Sequence, residues 1–125
     1  MNSLCEVLVN EVPDTLLPRS PAELLAQIFA IFPGYQDAYR GPIHEDAPTF
    51  HSTLMGFTGF FGGGLQGFSE TQLRSFGALI NQAVDAGGDL ENAFSTCLLE
   101  HLRQIRAEKT MRPFLSQVAR MKLRA

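Results

Sequence analysis

Between residues 89 and 106 the chain reads DLENAFSTCLLEHLRQIR, its longest uninterrupted helical pattern. At 3.6 residues per turn Leu90, Phe94, Cys97, Leu98 and Ile105 share one broad arc, flanked by Ala93 and Leu102, and His101 falls inside it. Leu99 points the opposite way, so such a helix needs cover on more than one side. Asp89, directly after Gly87 and Gly88, is placed to accept hydrogen bonds from the orphan amides of a first turn. The pattern predicts a central helix at about 89–107, with the remaining chain supplying its partners.

The remaining chain carries further helical stripes. The reading over residues 3–12 is a short helix with Leu4, Val7, Leu8 and Val12 on one face, ended by Pro13 and Pro18. SPAE at positions 20–23 combines a capping box with proline at the first helical position, opening a helix to about Phe32 with Leu25, Ile28, Phe29 and Phe32 on its core face. Phe50, Leu54, Phe57 and Phe61 repeat at four, three and four residues. Gly56 and Gly59 inside that stripe each cost about 1 kcal/mol relative to Ala, which predicts close approach of a neighbouring helix. Three consecutive glycines at 62–64 read as its end. A second capping box, Ser69 to Gln72, opens a helix with Leu73, Phe76, Gly77, Ile80, Ala83 and Val84 as its buried stripe. Gly87 and Gly88 then form a turn so short that this helix and the central one pack as an antiparallel hairpin. Pro113 opens a last helix with Phe114, Leu115, Val118 and Met121 facing inward.

No run alternates apolar and polar residues at strand length, so the fold class is all-α, a compact bundle of five to six helices. With 45% apolar residues and ten phenylalanines, 125 residues are ample for one core and too few for two. The reading is one helical domain over residues 1–125.

Residues 33–47, PGYQDAYRGPIHEDA, are the least regular stretch and hold both tyrosines. A segment of this kind is either a plain connection or a recognition surface. Tyr35 and Tyr39 are its exposed-aromatic candidates, because tyrosine buries area with little loss of rotamer entropy, and either can instead close over the core. Asp37, Glu45 and Asp46 are the acids beside them.

Charge is unevenly distributed. Residues 1–100 hold three basic side chains against twelve acidic ones, and the last 25 hold seven basic residues and the single acid Glu108, so −9 and +6 give the net −3. Either the basic tail packs on its own acidic body, or that body faces a basic partner, where complementary charge speeds and orients association. Nucleic-acid binding is disfavoured, since phosphate contacts call for a concentrated basic surface over most of a domain. No run approaches the roughly 18–20 apolar residues that span a bilayer. The opening MNSLCEVLVNEVPDT lacks a basic n-region, so it does not read as a signal peptide, and the expected address is cytoplasmic. Cys5 and Cys97 both lie in apolar helical patterns, where a reduced thiol is the ordinary state.

Catalytic and metal constellations are weak. His44, His51 and His101 invite a metal or acid–base site, yet no H-x-x-x-H or C-x-x-C spacing occurs, and neighbours such as Glu100 and His101 point about 100° apart on a helix. Cys97 and His101 share a face without an oxyanion loop. The glycine run is followed by Leu65 and Gln66 rather than the Lys and Ser/Thr of a phosphate cradle. No cofactor or metal is expected.

The segment ENAFSTCLLEHLRQIR, followed after a short break by MRPFLSQVARMKLR, resembles a family of small bacterial helical proteins in which an E-N-A-x-x-T-C-x-L-E-x-L helix follows a Gly-containing turn. The likeness extends upstream through FHSTLMGFTGFF and SETQLRSFGALINQAVDAGGD, over roughly the last 75 to 80 residues. Members look like immunity or antitoxin proteins of bacterial toxin systems. The resemblance therefore implies a non-enzymatic binder that neutralises a cognate toxin with a basic surface, as monomer or homodimer, and it supplies no catalytic residues. The chain is thus expected to be this binder, with Tyr35, Asp37, Tyr39, Glu45 and Asp46 as its contact residues; the alternatives are a small metal-dependent or acid–base enzyme built on His44, His51 and His101, and a regulatory or structural homodimer.

Overall fold

The computed structural model describes residues 17–41 and 47–123. The helix expected at 3–12, with Cys5, lies outside these residues, as do His44, Glu45 and Asp46. Among the described residues the chain forms seven α-helices, three 3-10 turns and no strand, an all-α fold as expected. The helices are α1 (Pro21–Ile31), α2 (Pro33–Ala38), α3 (Phe50–Gly64), α4 (Glu70–Ala86), α5 (Gly88–Cys97), α6 (Glu108–Met111) and α7 (Gln117–Arg120). None of these is long and apolar enough to cross a membrane.

Caps set the helix starts. Ser20 accepts from the Glu23 amide, while the Glu23 carboxylate reaches back to the Arg19 amide rather than to that of Ser20. Ser69 and Gln72 form the reciprocal box, and the Gln72 amide group also donates to the Ile31 carbonyl, tying the end of α1 to the start of α4. A third box, Thr49 with Ser52, opens α3. The sequence reading missed it because serine replaces the usual Glu or Gln at its third position.

Phenylalanine makes the centre. Phe32, Phe57, Phe61, Phe76 and Phe94 are fully buried, and the Phe32 ring lies within 6 Å of the rings of Phe57, Phe61, Phe68 and Phe76. Each such burial contributes about 1.5–3 kcal/mol. One apolar cluster joins side chains from all seven helices.

Several local expectations change. Residues 33–38 are helical rather than irregular, since Pro33 occupies the first position of α2, where its missing amide costs nothing. Helix α3 runs through Gly62 and Gly63 to Gly64 and passes into a 3-10 turn at Leu65–Gly67. Nothing lies within 4 Å of a Cβ built on Gly59; the close approaches occur at Gly62, against Ile105, and at Gly77, against Phe114. Asp89 is no cap. Gly87 takes that position with φ 75°, and Asp89 and Glu91 sit in the first turn of α5, favourably placed in the helix dipole.

The central helix ends at Cys97, short of the expected 107. Leu98 adopts φ −128°, ψ −65°, and a 3-10 turn at Leu99–His101 follows. Leu98, Leu99 and Leu102 do not fit one stripe of an ideal helix, and the change of phase at Leu98 buries all three. It also turns His101 outward. The Cys97 carbonyl at the break accepts from the Thr58 hydroxyl at 2.9 Å. His51 pairs with Asn92 and Thr58 with Cys97, so α3 and α5 run in the same direction.

After Arg106, which holds φ 59°, α6 and a 3-10 turn at Arg112–Phe114 precede α7. Pro113 lies in that turn, and Ser116 caps α7. Leu115 is buried as expected, Phe114 half-buried, but Val118 and Met121 are exposed, with Met111 and Ala119 inside instead. The large apolar side chains exposed among the described residues are Met55, Val118 and Met121. The tail meets its own body through Lys122 and Glu91 at 2.8 Å, whereas Arg103 and Arg112 pair with Glu108 within the tail.

Candidate functional site

Between α1, the end of α2 with the turn after it, and the first half of α3 lies a surface cleft of about 230 Å³. Its floor and walls are Leu25, Ala38, Pro48 and Gly56 with the rings of Tyr35 and Tyr39; Arg40, Gly41, Ser52 and Thr53 complete it. The tyrosines are held from behind. Tyr35 is 7% exposed, with its ring centroid 5.1 Å from Phe57, 4.9 Å from Phe60 and 5.8 Å from Phe29. Tyr39, half-buried, stands 5.3 Å from Phe29 and 5.7 Å from Tyr35. Such edge and tilted packing fixes rings in place, so the wall is preformed.

Tyr35 is therefore not the exposed aromatic that its segment suggested. Burial, followed by the neighbouring Tyr39, pushes its phenol pKa up, so the hydroxyl stays protonated through the neutral range. Arg40 donates from one terminal nitrogen to the Asp37 and Tyr39 carbonyls at 3.1 and 3.2 Å, which satisfies carbonyls at the end of α2 and sets the guanidinium at the cleft. Gly41, with φ 104°, makes the turn that follows. On the opposite wall Ser52 and Thr53 both donate to the Thr49 carbonyl.

Of the five contact residues named from the sequence, Tyr35 and Tyr39 meet in the cleft. Asp37 is exposed beside it and takes part through its carbonyl, while Glu45 and Asp46 lie outside the described residues. Arg40, Ser52 and Thr53 were missed. Arg40 was visible as the one base in an acidic segment, and Thr49-x-x-Ser52 as a helix start.

The other two histidines do not gather. His51, half-buried on α3, lies 3.3 Å from the Asn92 amide group, and His101, exposed beyond the break, pairs with Gln104 at 2.7 Å. Among the described residues no three His, Cys, Asp or Glu side chains stand close enough to hold a metal. Cys97 is a half-buried thiol 3.7 Å from the Thr96 hydroxyl.

Comparison with protein-family models, curated proteins and solved structures finds no match for this chain.

Proposed function

We propose that this protein is a non-enzymatic binder of the immunity type, which neutralises a toxin by docking the face around the cleft over the toxin's functional surface. The observation that carries the reading is the size and build of the cleft. At about 230 Å³ it falls below the roughly 300–1,000 Å³ of small-molecule sites and suits one partner side chain. Its wall is a packed aromatic lattice, which spares a partner the entropy of ordering it. Asp37 at the rim and the exposed Glu23, Asp85 and Asp89 elsewhere on the body would steer a basic partner.

Co-expression with the product of the adjacent gene tests this directly, with growth rescue and copurification as readouts. Ala38→Phe fills the cleft from an exposed position and is expected to weaken capture by about thirtyfold, the scale of a lost anchor. Failure of any adjacent product to be rescued or captured removes the reading, and unchanged capture by Ala38→Phe removes the cleft from it.

A further inference from the structure

The cleft holds donors and acceptors in an uneven arrangement that specifies a ligand chemistry. Tyr35 is more than nine-tenths buried, yet its hydroxyl has no hydrogen-bond partner among the described residues, and neither has that of Tyr39. The Tyr35 hydroxyl is not sealed in the core as that of Ser95 is, and Tyr35 lines the cleft. Arg40 spends one terminal nitrogen on backbone carbonyls, leaving the other and Nε for the cleft. Three donors therefore come from α2 and its turn.

On the α3 side the hydroxyls of Ser52 and Thr53 donate to the Thr49 carbonyl at 3.2 and 2.8 Å, and the Ser52 oxygen also accepts from the Thr49 amide at 2.9 Å, so Thr53 and the one remaining lone pair of Ser52 are the acceptors here. Apolar contact comes from Leu25, Ala38, Pro48 and Gly56.

We propose that the cleft binds an α-amido or α-amino carboxylate bearing a small apolar side chain, its carboxylate accepting from Tyr35, Tyr39 and Arg40 and its N–H donating to Ser52 or Thr53. One guanidinium matches the single charge of a carboxylate and would leave a phosphate dianion half paired. The volume takes one residue. That chemistry is shared by a free amino acid and by the C-terminal residue of a polypeptide. The reading as an immunity-type binder bears only on which source is used, not on the carboxylate.

The test uses the full chain, isothermal titration calorimetry and amide NMR, with N-acetylleucine, N-acetylleucinamide, free leucine, and a short peptide ending in leucine in free-acid and amidated forms. Saturable binding of N-acetylleucine is expected, with shifts at the amides of Tyr39, Arg40, Ser52 and Thr53. Removing the carboxylate charge, as in N-acetylleucinamide, weakens binding about tenfold or more, and so does Arg40→Gln. Tyr35→Phe weakens it severalfold while leaving the urea midpoint unchanged, because the hydroxyl has no partner within the fold. Tighter binding of the free-acid peptide than of leucine assigns a chain terminus, and the reverse assigns a free amino acid. Equal affinity for acid and amide, absence of saturable shifts at these amides, or a lowered urea midpoint in Tyr35→Phe overturns the proposal. None of these readouts needs a toxin, so failure here leaves the capture experiment standing, and failure of capture leaves this one standing.

Discussion

Gly77→Ala places a methyl group where the structure has no room for one. A Cβ at Gly77 would stand 2.7 Å from both the Phe114 Cβ and the Phe114 carbonyl oxygen, and 3.2 Å from its carbonyl carbon. Two of these are backbone atoms, so relief requires the 3-10 turn at Arg112–Phe114 to move away from α4. That turn is pinned from the next helical turn of α4, where the Asn81 side chain donates to the Phe114 carbonyl at 3.1 Å and accepts from the Ser116 amide at 2.8 Å. Overpacking of this kind costs about 1–3 kcal/mol, and displacing one of the Asn81 bonds adds about 1 kcal/mol. Higher helix propensity returns about 1 kcal/mol. The net expectation is destabilisation by about 2 kcal/mol, read from urea unfolding followed by circular dichroism. In an Asn81→Ala background the same substitution should cost about 1 kcal/mol less, because the bond it displaces is already gone. Gly59→Ala is the control: mid-helix, exposed and with nothing within 4 Å of the new methyl, it should stabilise by up to about 1 kcal/mol. A Gly77→Ala protein as stable as the parent, or the same sign for both substitutions, refutes the close-approach reasoning.

Ser95 carries a buried hydroxyl with no partner, so Ser95→Ala should raise stability by about 1 kcal/mol in the same assay, and a loss would mean that the hydroxyl is satisfied. Arg106 occupies the left-handed position of a Schellman-type turn in which the Ala107 amide reaches the Leu102 carbonyl at 2.8 Å. Arg106→Gly should stabilise by about 1 kcal/mol and Arg106→Val should destabilise, as thermal melts would register. The Arg112 side chain, hydrogen-bonded to Glu108, holds that carboxyl below its ordinary value of 4.5, with the charges of Arg112 and Arg103 acting the same way. Its stabilising contribution is present above 4.5 and is lost as pH falls through the lowered value. Glu108→Gln should therefore flatten the acid limb of the urea-midpoint profile while changing the neutral region less than the parent's own acid loss, and an unaltered acid limb would exclude this pair.

Much of the fold was legible because its signals are local. The Ser69 and Gln72 box, the stripe from Leu73 to Val84, and the phenylalanine spacing over α3 are each written within a few turns of chain, and the structure keeps them. The break at Leu98 was not legible from periodicity alone, because a regular 3.6-residue phase was carried straight through it. The signal was Leu99, an apolar residue on the wrong side, which marks a change of phase as readily as a helix buried all round. His101 was drawn inward by the same extrapolation. Gly59 and Gly62 look alike in sequence, and only tertiary packing against Ile105 separates them. The cleft was half legible: aromatic content pointed to Tyr35 and Tyr39, but Arg40, Ser52 and Thr53 join them through the way α2 and α3 meet, which no spacing encodes.

The chain has no tryptophan and two tyrosines, and both tyrosines line the same cleft. Its near-ultraviolet emission therefore originates at one place on the molecule. With excitation beyond the phenylalanine band, whatever settles there should alter quantum yield or lifetime against no tryptophan background, making the native polypeptide its own optical gauge of occupancy, without a dye or tag.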